Sequence, residues 1–283
     1  MPATPLPPSG DRPTPAATCD ASGMAEIHRM FRMGFGEAPD LIAGVEAADV
    51  EHAGVVADQL DLLSVGLHGH HQGEDERLWD VLAERAPGCA AHVERMKAQH
   101  AEMLVHLSAI DDALPAWRIA PTPSTAAPLL AAIAGVNAAL AVHLPDEETN
   151  IVPVMETVIT EPEVEWFAEH GRRSIPKGQS WYAMGLILAS QPDGGDAWLR
   201  KNLPAPARLA WRWIGRPRYA ARRAALEGRR LRPGLRQAVL EREDDELHAV
   251  TEGELREDAA DVRLDSGLGE PAGGEREDLA RGR

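Results

Sequence analysis

Cysteine is nearly absent: Cys19 and Cys89 are the only two in 283 residues. Two cysteines cannot build a disulfide framework, and without a C-x-x-C pair there is neither a zinc ribbon nor a redox dithiol. A reducing, cytoplasmic setting is the expectation. The first residues, MPATPLPPSGDRPTP, lack the cationic start and apolar stretch of a signal peptide. No uninterrupted apolar run reaches the ~20 residues of a spanning helix. The longest, 129–144, is broken by Asn137 and His143, so no transmembrane segment is expected. There is no Walker loop and no dinucleotide fingerprint. No E-x-x-H occurs either, which removes support for a ferritin-type iron store.

Positive charge is scarce in the body of the chain. Residues 1–195 hold 11 Lys and Arg against 28 Asp and Glu, a net −17. Residues 196–230 reverse this, with 10 against 2, and residues 231–283 return to 8 against 15. An acidic body argues against nucleic acid as the main partner, because phosphate binding needs clustered cations.

The chain divides into four segments. Residues 1–20 form a Pro-rich leader expected to be disordered. In 21–160 apolar residues recur at helical spacing. Residues 161–231 read as a C-terminal helical extension. Residues 232–283 read as an acidic, largely disordered tail.

Within 21–160 there are four helical runs. The first carries Met24, His28, Phe31 and Phe35, ends near Gly36, and is followed by a short element over 39–45. The second spans 49–84 with Leu63, Leu67, His70, Glu74 and Leu78 in phase. The third spans 89–114 with Val93, Met96, His100 and Met103, ahead of a Pro-rich connection from Pro115 to Pro128. The fourth spans 125–158 with Val136, Leu140, His143, Glu147 and Ile151. Steps of three and four place each set on one face. Pro145 and Pro153 predict a kink or break in the fourth run.

The chemistry sits on these apolar stripes. His70-Glu74 and His143-Glu147 are both H-x-x-x-E pairs, and His28 and His100 precede them by 42 and 43 residues. This spacing resembles a duplication of a helix pair. Residues four apart share a helix face, so each His and Glu can bind one metal, or the carboxylate can span two. A lone histidine on an apolar face is usually an ordinary core residue. A buried, unpaired glutamate is much costlier, and two such pairs with two in-phase histidines favour a metal site. His71-Asp75 has the same spacing, but His70-Glu74 copies the second pair and follows Leu67 on the stripe. His71, His68 and Asp75 are therefore assigned to supporting or solvent-facing positions. His106 is out of phase with His100, and His52, His92, His170 and His248 read as surface residues.

With these residues in view, 21–160 resembles a hemerythrin-like, HHE cation-binding domain. The resemblance is carried by IHRMFR, HGHHQGEDERLW, MKAQHAEML and HLPDEETNIVPVM. It implies an all-α, up-down-up-down four-helix bundle with additional C-terminal helices. It also implies a non-haem centre of two iron ions, bridged by Glu74 and Glu147 with His28, His70, His100 and His143 as terminal ligands. Oxygen-carrying hemerythrins have a second histidine four residues from the first in the third helix, and an Asp in the fourth. Here those positions are Met96 or Leu104, and Glu147. Six protein ligands leave more open positions on the metals. That favours reactivity with oxygen, peroxide or nitric oxide, catalase-like turnover included, over simple oxygen carriage. The alternative is an oxygen or iron sensor whose response passes through the region after Thr160.

The basic stretch 198–231 has two readings. It is either an amphipathic surface for a membrane or an acidic partner, or a helix that packs its Trp and Leu on the bundle while its arginines meet the acidic body. Pro204, Pro206 and Pro217 favour packing.

Overall fold

The computed structural model describes residues 17–228. The remainder of the leader and the acidic tail, both expected to be disordered, lie outside the described residues. The chain divides into two units, 1–232 and 233–283, and the described residues all fall in the first. Among the described residues there are helices and no strands, as expected of an all-α hemerythrin-like bundle.

Helix α1 (Gly23–Ala43) does not stop at Gly36 but runs on through Pro39. Proline 39 cannot donate to the Phe35 carbonyl four residues back. Asn137 Nδ2 donates to that oxygen instead, at 2.9 Å, so a neighbouring helix repairs the ladder. Helix α2 (Val50–Gly73) opens on Asp49, whose side chain accepts from the His52 amide. It continues into a π-turn, Glu74–Leu78, and then α3 (Trp79–Arg85). A short 3-10 turn leads to α4 (Ala90–Ile119), which passes through Pro115 and shortens the expected Pro-rich connection to 120–122. Thr122 and Thr125 form a reciprocal cap for α5 (Pro123–Asn150). Pro145 lies inside α5 without ending it. The break falls at Ile151, just ahead of Pro153 in α6 (Val152–Val158).

The long helices bury two apolar clusters. One holds Phe31, Phe35, Leu63, Leu67, Met103 and Leu140. The other holds Leu78, Trp79, Leu82, Met96, Ile151 and Met155. On α2, α4 and α5 the predicted ligands fall in sequence between these two sets, so a polar layer is enclosed by apolar ones. The stretch Pro123–Val158 is long and apolar enough to cross a bilayer by length and composition, with mean hydropathy 1.8. The expectation of no such segment counted only uninterrupted runs. In the fold this stretch packs along α4 and α1.

The extension after Thr160 comprises α7 (Glu161–Ser174), α8 (Ser180–Ser190), α9 (Asp196–Asn202), α10 (Ala205–Ala210), a π-turn over Trp211–Gly215, and α11 (Arg216–Leu226). Helix α7 packs on α2, α8 on α1, and α11 on α2 and α8. Arg223 grips Glu37 with two hydrogen bonds, Arg222 reaches Asp58, and His52 Nε2 donates to the Leu226 carbonyl. The extension is thus tied to the bundle by half-buried charge pairs and a side chain to backbone hydrogen bond.

Candidate metal centre

The four helical runs bring all six predicted residues into one layer. His28, His143 and Glu147 are fully buried, and Glu74 and His100 nearly so. His70 keeps 13% of its side chain exposed. The structure adds a seventh residue, His71, which is buried among them. Two neighbours on one helix turn project about 100° apart, and the end of α2 lies deep enough for both to face inward. His71 was read as a supporting or solvent-facing residue because a stripe of period 3.6 admits one of two adjacent positions.

The donor atoms fall into two groups. His28, His70 and Glu147 form one, and His71, His100 and His143 the other. Within each group the candidate ligand atoms lie within 4.8 Å of one another. The carboxylates link the two. Glu74 Oε1 lies 3.3 Å from His70 Nε2, and its Oε2 lies 3.5 Å from His100 Nε2. Glu147 Oε2 lies 3.3 Å from His28 Nε2 and 3.5 Å from His143 Nε2. Each carboxylate therefore touches an imidazole of both groups.

The far ring nitrogens are held by partners that orient the rings. His28 Nδ1 donates to Glu148 at 2.9 Å, and Arg32 donates to the same oxygen. His100 Nδ1 donates to Asp75 at 2.8 Å. His143 Nδ1 donates to Gln99 at 3.0 Å, and Gln99 donates onward to Asp146, which Arg95 holds. With the proton placed on Nδ1, the Nε2 atoms of His100 and His143 present their lone pairs to the layer. The π-turn contributes here. It adds a residue to the turn after Glu74 and leaves both Leu78 and Trp79 buried. The Trp79 indole then donates to Asp75 at 2.7 Å, fixing the carboxylate that holds His100. Asp75 is the supporting carboxylate expected from the sequence. Glu148, Gln99 and the π-turn were missed, because nothing local marks them.

The electrostatics follow from burial. Burial lowers His70 to about 3 and His143 to about 4, and it lowers His71 well below its ordinary range. These imidazoles are neutral at pH 7, the form that binds metals. Burial, and then the Glu147 carboxylate, push Glu74 well above the usual range. Burial also acts against Glu147 ionising, but its contact with His28 outweighs that and holds it low.

Both oxygens of Glu74 and of Glu147, and the Nε2 atoms of His71, His100 and His143, have no hydrogen-bond partner. Burying one such group unpaired costs about 1–3 kcal/mol, and more when charged. Seven in one layer is a donor set that fits cations: hard carboxylate oxygens and borderline imidazole nitrogens, split between two centres.

Residues 21–155 match the family described as hemerythrin HHE cation binding domain. This part of the chain is a hemerythrin-like domain. No curated protein and no solved structure matches the chain. The hemerythrin-like match spans α1 to α5 and ends within α6, so the extension from α7 onward lies outside it.

The other histidines are used elsewhere. His68 pairs with Asp111. His106 packs its ring over Gly135, where a Cβ would lie 2.3 Å from its Nδ1. His92 accepts from Arg95. His170, expected at the surface, is half-buried against Gly73 on α2. His248 lies outside the described residues.

Proposed function

We propose that this hemerythrin-like protein is a non-haem di-iron protein that binds or reacts with oxygen, peroxide or nitric oxide in the cytoplasm. The observation that carries the reading is the bridging reach of Glu74 and Glu147 between two groups of imidazoles. Iron itself comes from the family resemblance. His28, His70, Glu74, Glu147, His100, His143 and the added His71 would hold the ions. A bound iron pair would supply Lewis acidity and electron exchange to a small ligand.

The residues contribute the rest. The His71 group offers three imidazoles and the His28 group two, so the His28 side leaves more room for an exogenous ligand. Phe31 lies against His70 with ring centroids 5.6 Å apart, and Trp79 against His100 at 5.5 Å. These rings, with the apolar clusters above and below, limit water at the layer. Glu148 and Asp75 keep protons on the outer nitrogens of His28 and His100. Glu74 can hold a proton when no cation faces it.

The test is metal content together with the optical spectrum in air of protein purified without added metal, followed by peroxide consumption. About two irons per chain, with near-ultraviolet bands lost in Glu74→Ala, and turnover above free iron that fails in His100→Ala, support the reading. Zinc alone, or no metal after anaerobic loading with ferrous iron, refutes it.

A second reading, as a sensor, has one observation in its favour. Helix α7 lies on the metal-bearing turn of α2. Ser174 fills the space a Gly69 side chain would need, and His170 fills that of Gly73. These glycines bracket His70 and His71. A sensor would show altered proteolysis beyond Thr160 on oxidation of the iron, and no turnover.

A further inference from the structure

The basic stretch 198–231 serves both of its sequence readings, on different faces. Between Ala197 and Leu226 there are 8 Lys and Arg and no Asp or Glu. Its inner face packs as a structural element. Trp211 is buried and stacks on Trp181 of α8, with centroids 5.9 Å apart. Gly215 has no room for a Cβ, which would lie 2.2 Å from the Trp181 ring. Arg222, Arg223 and Lys201 are engaged by Asp58, Glu37 and Asp20.

The outer face has a different character. Trp213 is 69% exposed, Leu209 57% and Ile214 41%. Single exposed apolar residues need no explanation, but these three fall within six residues, and Trp213 is the only largely exposed aromatic side chain among the described residues. Arg212 and Arg216 are exposed beside them, and the Arg212 guanidinium lies over the Trp213 ring at 5.6 Å. The prolines do not interrupt this face. Pro206 sits in the first turn of α10 and Pro217 in the first turn of α11, with Pro204 ahead of both. Buried Trp211 and the crowded Gly215 fix the intervening π-turn from within, so the outer groups are presented on a preformed support.

We propose that the face formed by Leu209, Arg212, Trp213, Ile214 and Arg216 docks on an anionic lipid surface. Trp213, Leu209 and Ile214 enter the interface, and the two arginines pair with headgroup phosphates. An indole with neighbouring aliphatic groups and flanking guanidinium groups suits the boundary between headgroups and acyl chains. Nucleic acid would satisfy the arginines but offers no apolar phase for Leu209 and Ile214. The charge distribution also orients the molecule. The basic lobe is attracted to an anionic leaflet, while residues 1–195, at net −17, are repelled from it. The α1–α6 bundle then faces away from the membrane, with its candidate metal layer inside. This inference does not depend on iron in the site.

The test is co-sedimentation of the full chain, as purified, with vesicles of phosphatidylcholine alone or with phosphatidylglycerol, read together with tryptophan emission. Binding to the anionic vesicles only, with a blue shift and release by salt, is expected. Trp213→Ser should weaken that binding about tenfold, and the Arg212→Glu/Arg216→Glu double variant should abolish it. These side chains are exposed, so helicity and melting temperature should not change. A Leu209→Ser/Ile214→Ser variant provides a second measure of the apolar contact. Failure of the unmodified chain to sediment at low salt overturns the proposal, as does binding unaffected by Trp213→Ser. Preferential binding to duplex DNA or an acidic polypeptide, insensitive to Trp213→Ser, also overturns it.

Discussion

Replacing Glu74 by glutamine should stabilise the metal-free protein and weaken the metal-loaded one. Glu74 is 2% exposed and neither of its oxygens has a hydrogen-bond partner. Without a cation it must either remain charged near Glu147 or take up a proton that the unfolded chain releases. Glutamine has nearly the same shape and avoids both. The expected gain at pH 7.5 is about 2 kcal/mol, or about 4–8 °C in melting temperature for a protein of this size. The gain should depend on pH. Burial raises Glu74 in the folded state above its ordinary value of 4.5. From pH 4.5 upward the folded form therefore holds a proton that the unfolded form has lost, and stability falls as pH rises. Glutamine has no such dependence, so the difference between variant and parent grows from pH 5 to pH 8. Contributions from the histidines are common to both proteins and cancel. With saturating ferrous iron the order should reverse, because binding only the folded state stabilises the parent by about 3–4 kcal/mol at a hundred to a thousand times Kd. The assay is chemical denaturation of chelator-treated and iron-loaded protein at several pH values. A metal-free variant less stable than the parent, or a difference flat with pH, would refute the view that Glu74 is a buried acid directed at a cation.

Four further outcomes follow from the same geometry. His71→Ala should lower bound iron from about two toward one per chain by elemental analysis, whereas His68→Ala, whose imidazole pairs with Asp111, should leave it unchanged. Gly73→Val places a branched side chain against the His170 ring, already 3.1 Å from a Cβ. It should cost about 1–3 kcal/mol and speed protease cleavage near Thr160. Arg223→Ala strands Glu37, which also accepts from Gln59. Because Arg223 is only half-buried, a loss of about 2 kcal/mol is expected in denaturant unfolding. In the metal-free Glu74→Gln variant, which lacks the opposing contribution of Glu74, burial of His70 and His143 should make stability fall as pH falls from 6.5 to about 4. There the unfolded chain binds protons that burial keeps from His70, at about 3, and His143, at about 4. Denaturant midpoints that stay constant over that window would count against neutral buried imidazoles.

The sequence alone determined that the chain is helical, which faces of the four runs are apolar, and that His28, His70, Glu74, His100, His143 and Glu147 lie on those faces. It could do so because helical periodicity is local: residues three and four apart share a face whatever surrounds them. The tertiary structure decided what depends on neighbours distant in the chain. Pro39 stays inside α1 because Asn137, 102 residues away from Phe35, supplies the missing donor. His71 joins the layer because the end of α2 is embedded from more than one side, which a single stripe does not describe. Glu148 and Gln99 became legible as supports only when α1, α4 and α5 came together around the histidines. The basic extension likewise divides into a packed face and a free one according to what α8 covers, because burial belongs to the assembled fold and not to any one segment.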